Sequence, residues 1–331
     1  MHADPKNVDD ARARFCTRAP GPLRLVACGL ALGIVLFAAH ADARVLRVPD
    51  EYASPQAAVD EAGAGDIVTV AEGVYEPPRM TESDVTLMGS GVGTVFIQEI
   101  DIRGVDGIVL TGLRVRGGTN DHHFGIACED ANDIVIRDVA IDGFHHGISA
   151  SGSTVRIAGC EVKDAFNVAL LVTQDSAVRV EDTVAGADSA IGMLVTECPR
   201  LTEVRRSEIR GTLLVGLRAA NANVTVRDTR IEGNPVGVDV VSGHVDLGRS
   251  DDPGRNVFLA NDVLDVLAAR RVNVQASGCY WGRGGRPGAD RVSPTVEVFP
   301  WLASDPAGAR PVSSRSRLAT NWARLKTRGP Q

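Results

Sequence analysis

From Ile108 to Gly282 the chain repeats one phrase every 21 to 27 residues: apolar residues at i and i+2, a turn, and a third apolar residue at i+7. The clearest copies read IVLTGLRV from Ile108, IVIRDVAI from Ile134, VRIAGCEV from Val155, VRVEDTVA from Val178 and VTVRDTRI from Val224. Looser copies begin at Thr202, Val245 and Val272. Each unit closes on an apolar anchor after Gly or Ala: Gly125-Ile126, Gly147-Ile148, Ala169-Leu170, Gly192-Met193, Gly216-Leu217 and Gly237-Val238. A spacing of two is the period of a strand, and the Gly, Asn, Asp and Ser between the apolar positions mark turns, so three short strands are predicted per unit.

Such a unit cannot bury its apolar face alone. Stacking one unit per rung lines the inward residues into columns, which predicts an all-β parallel β-helix with three short strands per coil. A helical solenoid needs apolar spacings of three and four. Leucine-rich repeats need a Leu-rich consensus with an Asn ladder, and a seven-strand sandwich would not keep a three-part unit.

Before the repeats, Ser54 and Pro55 form an N-cap and first-turn pair, Ala57, Ala58, Val59 and Ala62 supply an apolar helical face, and Gly63 and Gly65 end it. This predicts a helical cap over the open end of the solenoid, whose strand edges would otherwise invite aggregation. Residues 44–107 thus read as cap and first irregular coils, 108–282 as regular coils, 283–309 as a closing segment and 310–331 as a basic tail. That tail carries Arg315, Arg317, Arg324, Lys326 and Arg328 without an acid; it reads as a mobile, disordered tail or a short capping helix around Leu318, Trp322 and Leu325, with contact between its cations and an anionic polymer as the alternative.

Residues 1–43 read as a signal peptide. Arg12, Arg14, Arg18 and Arg24 precede an apolar run from Leu25 to Ala39, which is short for a membrane span and ends at the small-x-small site Ala41-Asp42-Ala43. Cys28 mimics a lipidation site, but the apolar run follows it where it should precede it. An uncleaved anchor is the alternative; cleavage predicts a secreted or periplasmic chain with no membrane insertion. Four cysteines then remain, Cys128, Cys160, Cys198 and Cys279, on different parts of the unit and mostly on separated rungs. A bridge needs Cα atoms within about 7 Å, so buried free thiols are expected. The formal charge of −7 excludes a chain-wide nucleic-acid surface, and the aromatic content of 4% points to a core of Val, Ile, Leu and Ala. A monomer is expected.

The cap segment SPQAAVDEAGAGDIVTVAEGVYE, the coil phrase, and the ending CYWG followed by DRVSPTVEVFPWL resemble bacterial secreted right-handed parallel β-helix proteins, the pectate-lyase-like superfamily in its broad sense. The resemblance covers roughly residues 44–302. It implies a right-handed coil. Relatives include polysaccharide lyases and hydrolases, alginate epimerases and a periplasmic copper-site maturation factor, so fold does not choose an activity.

Candidate chemistry therefore comes from outward residues. Two histidine pairs, His122-His123 and His145-His146, precede their Gly-Ile anchors at equivalent positions, so His123 and His145 should stack on adjacent rungs. The loop Gly117, Gly118, Thr119, Asn120 and Asp121 lengthens its coil. Asp142, Lys163 and Asp164 emerge nearby, and Arg116, Asp142 and Lys163 share one outward column. The plainest reading is polar turns beside a solvated charge ladder.

Polysaccharide binding with lyase-type cleavage is the first functional reading. His123, His145 or Lys163 would take the proton beside a uronate carboxylate, Arg116 or a bound Ca²⁺ would meet the developing charge, and Asp121, His122, His146 and Asp164 would contact substrate. Asp142 completes this set. The epimerases in the superfamily carry an Asp-Pro-His segment, against which Asp121-His122-His123 lacks the proline. No tyrosine is placed as acid, since Tyr52, Tyr75 and Tyr280 belong to other regions. A hydrolase would need carboxylates about 5 to 9 Å apart, for which Asp121, Asp142 and Asp164 are candidates. Polygalacturonase-like relatives carry paired aspartates and Gly-His-Gly, present here only as the reminiscent Phe144-His145-His146-Gly147. The alternative class is a non-catalytic periplasmic protein holding copper or zinc on His122, His123, His145 and His146 with Asp121 or Asp142; adjacent histidines on extended backbone would diverge. Arg137, Arg205 and Arg227 share another outward position, as a solvated face or a contact for an acidic polymer.

Overall fold

Strict alternation is realised as stacked parallel strands whose pairing follows the repeat, with one register shift between Cys198 and Leu201. The computed structural model describes residues 43–118, 123–282 and 285–306. They form a parallel β-solenoid of about 11 turns. Ile134, Ile136 and Ile141 of one coil are all buried, as are Val155, Ile157 and Val162 of the next and Val224, Val226 and Ile231 further on. The i and i+2 positions make a first strand column and the i+7 position a second. Ile134 pairs with Val155, Val155 with Val178, and Ile141 with Val162. The Gly-Ile anchors make a third column running Ile126, Ile148, Leu170, Met193, Leu217 and Val238.

Two details differ from the sequence reading. A strand at Val45–Val48 precedes the helix and pairs with Ile67–Val70, so coiling starts before the cap segment. Four residues with two inward positions are too short to announce a period. The last looser copy is in register from Val274, not Val272, because Asp246 pairs with Gln275 and sets Val274 opposite Val245. Val272 belongs instead to a tight turn whose N–H donates to the Ala269 carbonyl. The helix spans Pro55–Glu61, with the Ser54 hydroxyl accepting from the Ala57 N–H at 3.2 Å. Ala58, Val59 and Ala62 join the core beside Leu46 and Val68; Ala57 faces solvent.

The turn from the first to the second column uses one left-handed residue per coil, among them Asp138, Gly159, Asp182, Arg206, Asp228 and Arg255. Behind it runs a buried polar file. The Cys160 N–H donates to Thr183 Oγ1, Thr183 to Ser207, Ser207 to Thr229 and Thr229 to Asn256 Oδ1. Each side chain thus satisfies a buried backbone donor of the coil before it. The four cysteines Cys128, Cys160, Cys198 and Cys279 are buried and free. Burial pushes the Cys128, Cys160 and Cys279 thiols up to about 12.

Candidate functional site

The site lies at the corner where the second column turns into the third, and glycine makes that corner narrow. A Cβ on Gly147 would stand 2.2 Å from Val162 Cγ1 and 2.5 Å from the Ala169 carbonyl oxygen; on Gly125 it would stand 2.7 Å from the Gly147 carbonyl. Glycine therefore lets adjacent coils close up, and the residues just before it come into ring contact across rungs. His146 is paired with Phe124 on one side and Val168 on the other, and its N–H donates to the His123 carbonyl at 2.7 Å.

Two short files of rings result. His123 and His145 lie with centroids 5.9 Å apart and nearly edge to face, and Phe166 continues the file at 5.2 Å from His145. Beside it, Phe124 and His146 stack at 5.3 Å with planes 23° apart. The rings of His145 and His146 meet at 4.9 Å, so the pair converges where extended backbone would have sent them apart. Their Nδ1 atoms are buried and lack a hydrogen-bond partner among the described residues. Burial, reinforced by the facing His145 and His123, lowers His146 to about 4 and keeps it neutral at pH 7.

Arg116, Asp142 and Lys163 share one row, since Asp142 pairs in register with both others. The row is not an open ladder. Arg114 donates to the Asp142 carboxylate from Nε at 2.8 Å and again from Nη2, while Arg116 stands 3.5 Å off. Lys163 lies 3.9 Å from the exposed Asp164 carboxylate. Asp142 is thereby committed to the Arg114 guanidinium, and the Arg116 guanidinium and Lys163 ammonium, each with a looser carboxylate contact, belong to partly exposed side chains.

Asp121 and His122 lie outside the described residues. Three ring residues or partners were missing from the sequence reading: Arg114, Phe124 and Phe166. Phe166 carried a signal, because it lies 21 residues after His145, one coil length on. Among the described residues no three His, Cys, Asp or Glu side chains converge as a metal site would require. In the other outward row, Arg227 is buried and bound to Asp246 at 2.8 Å and Asp252 at 2.7 Å, so it is neither a solvated face nor free for a polymer.

No family model matches the sequence, and a comparison with curated proteins finds no match. Solved structures are similar. The A-module of the Azotobacter vinelandii mannuronan C-5 epimerase AlgE6 superposes with a TM-score of 0.51 at 15% identity, covering 76% of this chain and 94% of that one. The AlgE4 A-module from the same organism gives 0.50 at 15% identity, over 75% of this chain and 87% of that one. Pectate lyase Pel9A gives 0.50 at 12% identity, over 77% and 74%. At these identities the likeness is one of fold, and the chain shares the parallel β-helix of the pectate-lyase-like proteins.

Proposed function

We propose that this chain is an exported protein that binds an acidic polysaccharide across the corner built by His123, Phe124, His145, His146 and Phe166. The observation that carries the reading is the pair of ring files. Aromatic faces repeated from coil to coil offer a platform for the apolar faces of successive sugar rings, and the exposed Phe166 leaves that platform open. Arg116 and Lys163, at the edge of the same corner, would hold carboxylates of the polymer. The names of the similar structures put them on mannuronan and on pectate, both polyuronates, which supports the choice of polymer class.

The arrangement also admits lyase-type elimination. His123 or His145 would take the proton beside the carboxylate while Arg116 or Lys163 neutralises the charge that develops. Held neutral and weakly basic, His146 serves stacking in this scheme. Copper or zinc binding is less well supported, because His123, His145 and His146 turn faces and edges to one another.

Calorimetric titration with polymannuronate and polygalacturonate, against a neutral glucan, tests the binding. The full chain should bind the acidic polymers, and His145→Ala or Phe166→Ala should weaken binding about tenfold or more. Equal affinity of parent and variants, or preference for the neutral glucan, would overturn the reading. Ultraviolet absorbance of unsaturated uronate products, with and without Ca²⁺, tests the elimination; intact polymers after long incubation would leave a binding protein.

A further inference from the structure

The ring platform occupies only the first coils of its corner, and the corner continues as an apolar ridge that the polysaccharide reading does not use. Four of the described large apolar side chains that stand exposed lie on it: Phe166 at 78%, Leu213 at 61%, Leu214 at 58% and Val263 at 59%. Backbone bonds tie them to one line. Phe166 donates to Phe144, Leu213 to Ser189, Leu214 to Ala190 and Val263 to Pro235, each one coil back. Along the same turns stand the exposed acids Asp164, Asp188 and Asp262. Asp188 and Asp262 make no ion pair among the described residues. A ridge of leucine, valine and phenylalanine flanked by exposed carboxylates, of which only Asp164 has a cation within ion-pairing distance among the described residues, is costly to leave in water and fits a basic amphipathic partner.

Such a partner is part of the chain. Asp305 is bound by Arg230 at 2.5 Å, and Arg230 opens the strand Arg230–Glu232 that runs straight into this corner. The described chain therefore ends beside the coil of Arg230, whose turn at Pro235 lies between those of Leu214 and Val263. Twenty-five residues follow it. They contain Arg310, Arg315, Arg317, Arg324, Lys326 and Arg328, no acid, and Leu318, Trp322 and Leu325 at i, i+4 and i+7. That is the anchor spacing of an amphipathic segment that covers an apolar surface, and its cations are opposite in sign to Asp188 and Asp262. Residues 307–317 alone can span about 35 Å, more than the length of the ridge, which covers roughly four rungs of 4.8 Å.

We propose that residues 307–331 dock on the ridge of Leu213, Leu214 and Val263, with Leu318, Trp322 and Leu325 as anchors.

Trypsin cleavage within the tail of the full-length protein tests this, because a docked segment is cut only from its released state. In Leu213→Asp/Leu214→Asp the cuts after Arg315, Arg317 and Arg324 should come at least about tenfold faster than in the parent, because partial loss of two leucine contacts already produces that change. Leu318→Ser/Trp322→Ser/Leu325→Ser, which leaves the solenoid untouched, should show the same acceleration. About 0.5 M salt should speed cleavage of the parent by screening the acids. Equal rates in parent and both variants would overturn docking. So would light scattering that finds a parent dimer reduced to a monomer by Leu213→Asp/Leu214→Asp, since a second copy would then cover the ridge.

Discussion

Replacing His146 with phenylalanine should make the protein more resistant to acid. The imidazole lies against Phe124 at 5.3 Å, and a phenyl ring can keep that stack while removing the proton site. In the folded chain His146 falls from 6.5 to about 4, through burial first and then the facing His145 and His123. A base with a depressed value binds its proton in the unfolded chain before the folded one. Its contribution to stability is therefore intact above about pH 6.5 and declines as the pH falls towards 4. Each tenfold difference in proton affinity corresponds to about 1.4 kcal/mol, so near pH 4.5 the site has cost the parent at most about 2.5 kcal/mol, and about half of that once solvent screening of the half-buried ring is counted, which the phenylalanine variant keeps. Urea denaturation of both proteins near pH 7.5 and pH 4.5 isolates this amount, since the carboxylates titrate alike in both and cancel in the double difference. Parallel losses of stability in the two proteins would refute the argument that His146 is held neutral by its surroundings.

Other expectations follow from single positions. Gly147→Ala should destabilise by about 3 kcal/mol in urea denaturation, because its Cβ would stand 2.2 Å from Val162 Cγ1 and the coils cannot separate locally. Ala260→Gly should stabilise by about 1 kcal/mol in the same assay, since Ala260 is held at φ 48°, a conformation glycine adopts freely. Cys128, Cys160, Cys198 and Cys279 should resist iodoacetamide in the native chain and react after denaturation; rapid native labelling, read by mass spectrometry, would contradict their burial. Asp142→Asn should lower thermal stability by releasing Arg114, with the loss shrinking as salt is raised, and an unchanged melting temperature would show that pair to be idle.

The coil was legible in the sequence because burial repeats at every rung: Ile134, Ile136 and Ile141 announce the same geometry as Val224, Val226 and Ile231. Parallel register then follows from the alignment of the Gly-Ile anchors, and it set His123 beside His145 before any coordinate did. What a repeat conceals is the direction of a side chain within a turn. Nothing in the spelling of His145-His146 says that the pair bends together, and alternation argued the opposite. Arg114 was hidden differently. It falls at the same outward alternation as Arg116, which is in register with Asp142, yet the hydrogen bonds to that carboxylate come diagonally from Arg114. Arg227 shares a row with Arg137 and Arg205, yet Asp252, in a lengthened coil, binds it, and a longer spacing does not say where the extra residues fold.

The strands Ile191–Arg205 and Val215–Arg227 pass through a corner that other coils turn by breaking the strand, whereas Val274–Gln275 and Val296–Glu297 near the end hold on through two residues each. Pairing between coils is thus dense in the middle and thin at one end. Under a pulling force the chain should peel from its last coils and stop at residues 191–227, which would act as a stiff hub from which shorter segments fray and reseal.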